Sequence, residues 1–276
     1  DLGYRVVAQL HYPTVTGIDS LPARALYRPT IWNLARRQEE VEAFIAHGPR
    51  EREWLKGEDI DERRIVIARY PAVPSPLFGY QCKPLPEMDS IGEPIVLYLG
   101  RITWRKGVHV LIEAAESLRK ETPDVRLVIA GPAEEGYLER IRRDVERRGL
   151  RDIVDFKGVL SEEEKYNYMG AATVFVSPSI KDIHPITLLE AQALGTPVIS
   201  TDIAAIPDIV KDGSTGFLVE PENAEALKET IKKILDNPPL RETLSQEART
   251  WASSFALENT VDTLENLYKN ITESHR

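Results

Sequence analysis

Cysteine is nearly absent: Cys82 stands alone, so neither a disulfide framework nor a cysteine-rich zinc site is available. His47, His109 and His275 lack the spacing of metal ligands, and no metal site is expected. Long apolar runs are missing as well. No window reaches the roughly 18 consecutive apolar residues that a membrane span requires. A basic excess is also missing, since 35 Lys and Arg face 44 Asp and Glu for a net charge of −9. That balance excludes the broad basic face that nonspecific nucleic-acid binding needs, and any anion site must be local. Neither a Walker loop nor a nucleophile elbow occurs. One cysteine suits a reducing compartment, so a cytoplasmic location is expected, with room for peripheral contact at the inner face of a membrane.

From residue 94 onward, short apolar runs alternate with helical patterns. The strand candidates are "PIVLYLG" (94–100), "VRLVIAG" (125–131), "IVDFKGV" (153–159), "TVFVSPS" (173–179), "PVISTD" (197–202) and "GFLVEP" (216–221). They are rich in Val and Ile and nearly continuous, as strands of a parallel sheet covered on both faces should be. Between them lie amphipathic stretches such as "VHVLIEAAESLRKE" and "EEGYLERIRRDVERRG". Alternation of this kind predicts βαβ units and a doubly wound α/β domain. Beyond residue 223 the pattern is wholly helical, ending in "ALENTVDTLENLYKNI".

Residues 1–90 read differently. "YRVVAQLHY", "AFIAHG" and "RRIVIARY" predict three strands, with helices near "IWNLARRQEEVE" and "PREREWLKG". Three strands make a poor sheet by themselves, and the sequence opens on Asp1, so it reads as a fragment or a processed chain. The Pro-rich stretch at 70–94 predicts a semi-rigid linker.

Two stretches carry chemistry. In "LYLGRITWRKGVHVLI" (98–113), Gly100 ends a strand, and Arg101 and Lys106 stand in the turn before a helix. Ligands of doubly wound sheets bind beyond the carboxyl ends of strands, where helix N-termini point N–H groups outward. Fixed positive charge at that point suits a phosphate; a solvated surface turn is the alternative. In "SPSIKDIHPITLLEAQALGTPVIST" (177–201), Pro185 suits a first helical turn, Asp182 or His184 suits its cap, and Gly195 with Pro197 suits its end. Glu190 then lies on an otherwise apolar helix. It must find a protein partner or accept hydrogen bonds from a ligand, for which ribose hydroxyls are suitable donors.

Taken together, "LGRITWRKGVHVLIEA", "VIAGP", "VDFKGVLSEEE", "VFVSPS", "LLEAQALGTPVIS" and "DGSTGFLV" resemble the family 4 glycosyltransferases, retaining enzymes of the GT-B fold. The resemblance spans residues 94–221. It implies an α/β chain with a donor-binding Rossmann-like domain at 91–255. Before it would stand the second half of an acceptor-side Rossmann-like domain, plus linker, at 1–90, whose first half is missing. A C-terminal helix at 256–276 would cross back to that first domain. The resemblance implies that Arg101 and Lys106 bind the donor diphosphate, with Gly100 and Gly131 at the neighbouring strand ends. Glu190 would grip the ribose, and Asp182 would face the donor sugar, with His184, Ile186 and Thr187 beside it. The backbone at Lys157, Gly158 and Val159 would meet the base. His11, after the first strand, would lie by the sugar; a structural histidine is the alternative.

The family commonly has Glu and then Phe-Gly where this chain has Asp182, His184 and Pro185. That puts the sugar-side contacts in doubt. The implied reaction moves a hexose from a nucleoside-diphosphate sugar to a hydroxyl of a carbohydrate or lipid-linked acceptor, with retention and without a cofactor or metal. Two rivals stay open: a UDP-sugar 2-epimerase of the same fold, and a nucleotide-sugar-binding module without turnover. The Asp-x-Asp spacing at Asp59 and Asp61 reads as a solvated, charged turn.

Overall fold

The computed structural model describes residues 6–9, 35–70, 72–85, 94–182 and 185–273. His11, His184 and His275 lie outside them. The chain divides into two compact units, residues 1–74 with 255–276, and residues 75–254.

The first unit holds a parallel sheet in the order β1 (Val6–Gln9), β2 (Val41–Ala46), β3 (Ile65–Ile67). The Pro49–Gly57 helix packs on it through Leu55, with Phe44 and Ala46 fully buried in the same cluster. The helix expected over 31–42 does not run that far. Gln38–Glu40 form a 3-10 turn and β2 begins at Val41, because pairing with β1 and β3 outweighs the helical propensity of the charged run. Asp61 caps the Glu62–Arg64 turn and accepts from the Arg63 amide and guanidinium. The Asp-x-Asp spacing is thus a turn. The Leu257–Glu273 helix also belongs to this unit. Val73 is tied to it by two bonds, from its N–H to Phe255 O at 2.8 Å and from Leu257 N–H to its carbonyl at 2.9 Å.

The second unit is a six-stranded parallel sheet: β4 (Ile95–Leu99), β5 (Arg126–Ala130), β6 (Val154–Gly158), β7 (Val174–Ser177), β8 (Val198–Thr201) and β9 (Gly216–Val219). Its order is β6-β5-β4-β7-β8-β9, so the winding reverses between β4 and β7. Right-handed crossovers then send the helices to opposite faces on either side of the reversal. β4, β7 and β8 are buried throughout; β4 reads as an unbroken apolar run, while β7 and β8 end in Ser177 and in Ser200 and Thr201. β6 is an edge strand and carries the Asp155–Lys157 pair at 2.8 Å, a charged edge that discourages further pairing.

The Pro-rich stretch is not a free linker over its described part. Ser75–Gly79 is a 3-10 turn with Leu77 buried. Lys83 N–H donates to Asn167 Oδ1 at 2.9 Å, so the segment from Ser75 packs with the second unit. Proline disfavours an α-helix interior and a central strand; it does not exclude packing.

The reversal brings two loops into contact. Gly107, at φ 70°, starts the Val108–Glu121 helix, and a Cβ there would stand 1.8 Å from Pro178 O. Arg105 O accepts from both Ile180 N–H at 2.8 Å and Lys181 N–H at 3.1 Å. Alanine at a left-handed position costs about 1–2 kcal/mol of strain. Gly213 has φ 74° with nothing near its Cβ direction, so Gly213→Ala should cost about that much. Gly107→Ala adds a backbone collision and should cost at least ~3 kcal/mol. Urea unfolding of both variants checks it; equal losses would show that the two loops separate freely.

His47 provides a second test, in the first unit. It is buried, with Nδ1 3.2 Å from Ala68 O and Nε2 2.8 Å from the Gln9 amide nitrogen. Burial, outweighing the Ala68 bond, lowers its pKa below the usual histidine value. As pH falls below about 6.5, the unfolded chain takes up a proton that the folded one refuses, so stability drops. The slope is at most ~1.4 kcal/mol per pH unit for one proton. Between pH 7.5 and 5.5 the parent should lose more stability than His47→Gln in denaturant titrations; identical losses would refute the assignment.

Candidate functional site

The site lies at the carboxyl ends of β4 to β7, where the winding reverses. Ligands of doubly wound sheets bind at such reversals. Tyr98 is buried at the end of β4, and its hydroxyl donates to Arg101 O at 2.8 Å. Burial pushes that hydroxyl's pKa far up, so it serves as a fixed donor. Gly100 N–H bonds Ala130 O at 3.0 Å, and Gly131 N–H bonds Gly158 O at 2.7 Å. Gly131, at φ 133°, packs so closely that a Cβ would stand 2.1 Å from Gly100 O. These bonds lock the ends of β4, β5 and β6 together. Val159 follows, 72% exposed.

Lys106 closes the 3-10 turn Trp104–Lys106, and its Nζ lies 2.5 Å from Asp182 Oδ2. Ser179 Oγ, itself buried, donates to the same oxygen at 3.3 Å. Arg101 is exposed, and its guanidinium has no hydrogen-bond or ionic partner among the described residues. The two cations therefore differ. Arg101 is a bare charge, whereas the charge of Lys106 is shared with a carboxylate.

The Ile186–Ala193 helix begins after Pro185, which is its N-cap and makes no side-chain capping bond. Asp182 pairs with Lys106 and Ser179; His184, the other candidate cap, is outside the described residues. Proline has no N–H and a fixed φ, so it ends the preceding loop without filling the helix terminus. Ile186 is exposed and Thr187 half-buried in the first turn. The other end runs as the sequence predicts. Gly195 N–H bonds Gln192 O at 2.9 Å and Thr196 N–H bonds Ala191 O at 2.9 Å, a Schellman closure around a left-handed glycine at φ 80°.

Glu190 lies in this helix among Leu188, Leu189 and Ala191, all fully buried. Lys165 Nζ stands 2.7 Å from its Oε1, while its buried Oε2 has no hydrogen-bond partner among the described residues. Lys165 was not legible as a site residue. The only local signal is the Ser161-x-x-Glu164 capping box that starts its helix, Glu162–Ala171. Lys157 faces Asp155 and the Tyr168 ring. Among the described residues, no group of three or more His, Cys, Asp or Glu could hold a metal ion. No helix there is long and apolar enough to cross a membrane.

Comparison with known proteins places this site in a family. The profile of Glycosyl transferases group 1 matches residues 89–251. An alpha-D-kanosaminyltransferase of Streptomyces kanamyceticus is 34% identical over 185 residues, 64% of this chain and 46% of that protein. A D-inositol 3-phosphate glycosyltransferase of Streptomyces coelicolor is 31% identical over 189 residues, 66% of this chain and 41% of its own length. The chain thus spans less than half the length of these curated relatives. Among solved structures, sucrose-phosphate synthase from Thermosynechococcus elongatus superposes with a TM-score of 0.77 at 25% identity, covering 98% of this chain and 69% of that one. Anabaena HepE in complex with UDP gives a TM-score of 0.78 at 18% identity, covering 98% and 72%. With a profile over most of the doubly wound unit and the same α/β architecture in GT-B glycosyltransferases, the chain belongs to the glycosyl transferases group 1 family.

Proposed function

We propose that the chain contributes to a glycosyltransferase moving a hexose from a nucleoside-diphosphate sugar to an acceptor hydroxyl with retention of configuration. The observation that carries the reading is the orphaned Oε2 of Glu190 in the same unit as the Arg101 guanidinium, which has no partner among the described residues, at the winding reversal. A buried acceptor without a donor costs about 1–3 kcal/mol, and a ribose hydroxyl would repay it. Arg101 and Lys106 would hold the diphosphate, and Asp182 would face the sugar from its place beside Lys106. The backbone at Lys157, Gly158 and Val159 would lie along the base.

In the reaction, the bond from the anomeric carbon to the β-phosphate oxygen breaks, and its electron pair stays on that oxygen. The acceptor oxygen bonds to the same face, and its proton passes to the departing phosphate. The protein's task is to stabilise charge on that phosphate. Arg101, Lys106 and the N-terminus of the Ile186–Ala193 helix supply positive potential where it grows. The acceptor is a carbohydrate or lipid-linked hydroxyl; a cytoplasmic site, soluble or at the membrane's inner face, suits nucleotide-sugar supply.

A thermal-shift panel of UDP, GDP, ADP and their sugars tests the reading, because a ligand that binds only the folded state raises Tm. At least one nucleotide should stabilise the protein, and silence across the panel would refute the proposal. Loss of one charge-assisted bond is worth about tenfold or more. Lys106→Ala should therefore weaken that nucleotide at least about tenfold. Equal calorimetric affinity in variant and parent would remove Lys106 from the site. Glu190→Gln should lose most of the preference for a nucleotide over its 2′,3′-dideoxy analogue.

A further inference from the structure

Glu190 poses a problem of charge placement. Its side chain is 5% exposed, and a carboxylate at that depth requires a counter-charge. Lys165 supplies it from a separate helix. That helix is anchored at its start: Glu164 N–H donates to Ser161 Oγ at 3.2 Å, and Ser161 N–H donates to Glu164 Oε2 at 2.8 Å. The ammonium also lies 4.4 Å from the Tyr166 ring centroid. A lysine on a flexible stem is thereby fixed from two sides.

The consequence is an asymmetric carboxylate. Oε1 is engaged by Lys165 at 2.7 Å, while Oε2 is buried and without a partner. A carboxylate free to rotate would offer either oxygen; one tied at Oε1 offers Oε2 alone. We propose that Lys165 is the positioning residue of the nucleotide site, holding Oε1 of Glu190 so that Oε2 accepts from a ribose hydroxyl of a nucleoside diphosphate. This rests on the ribose reading of Glu190 given above. Lys165 itself does not touch the nucleotide, so it governs discrimination between riboses through the carboxylate. A lysine that merely neutralised a buried charge would affect stability and leave that discrimination in place.

Calorimetry with UDP, GDP and ADP, each beside its 2′,3′-dideoxy form, separates these roles. The proteins are the parent, Lys165→Met, Lys165→Arg, Glu190→Gln and the double variant Lys165→Met/Glu190→Gln. The double variant leaves no buried charge unpaired, so it folds where Lys165→Met does not. The parent should bind the ribose form of its nucleotide about tenfold or more better than the dideoxy form. That ratio should fall to about threefold or less in Lys165→Met, Glu190→Gln and the double variant alike. Lys165→Arg should restore part of it. A ratio kept in Lys165→Met but lost in Glu190→Gln overturns the positioning role and leaves the ribose reading standing. If Lys165→Met fails to fold, an unchanged ratio in the double variant overturns both, and no recovery in Lys165→Arg overturns the positioning role. A ratio kept in Glu190→Gln, or no binding of any diphosphate, overturns both.

Discussion

The site depends on one contact: the carbonyl of Arg105 receiving the N–H groups of Ile180 and Lys181. The strands that carry these loops, β4 and β7, pair at the point where the sheet reverses its winding. Helices on either side of the reversal leave for opposite faces, which opens a crevice above the two strand ends. Left alone, two such loops would drift apart. The double hydrogen bond, and the fit of Gly107 against Pro178, close them onto each other. That closure sets Lys106 beside Asp182, residues 76 positions apart in the chain.

Much of this was legible in the sequence, because the signals involved are local. The six runs from residue 94 to 221 are strands, legible because burial in a parallel sheet enriches Val, Ile and Leu even where an edge strand such as β6 carries charge. The end of the Ile186–Ala193 helix was legible from Gly195 and Pro197, since a left-handed closing residue strongly favours glycine. What escaped is what depends on distant partners. The Arg36–Glu42 run has helical composition, yet β2 starts inside it because two neighbouring strands claim it. The Pro-rich stretch reads correctly as neither helix nor strand, but nothing local shows that Leu77 is buried or that Lys83 meets Asn167. Lys165 escaped for the same reason. Its carboxylate stands 25 positions away, on the next helix in the chain.

Electrostatics explain how an acidic chain keeps an anion site. Charges beyond a Debye length, about 8 Å at physiological salt, are largely screened. Two charges 4 Å apart near a protein surface still interact by about 4 kcal/mol. Local sources therefore decide, and the net −9 sets solubility more than binding. Both acids of the motif are matched to a lysine: Asp182 with Lys106 and Glu190 with Lys165. Neither pair subtracts much from the positive potential of the crevice, because each is neutral within itself. Among the described residues, Arg101 is a source without a counter-charge, and the helix N-terminus adds its dipole.

The helix N-terminus makes the final point. Asp182 stands where a capping residue would be expected, and a cap is typically worth about 1 kcal/mol. Capping by Asp182 would put a carboxylate on the N–H groups that face the crevice, where it would compete with any anionic ligand. Paired with Lys106, Asp182 carries a balanced charge, and the N-cap residue Pro185 brings neither a capping bond nor an N–H of its own to the junction. A helix N-terminus at the reversal of a doubly wound sheet points N–H groups and the positive end of its dipole at whatever binds there, so a phosphate at that point would gain hydrogen bonds that the N-cap proline cannot supply.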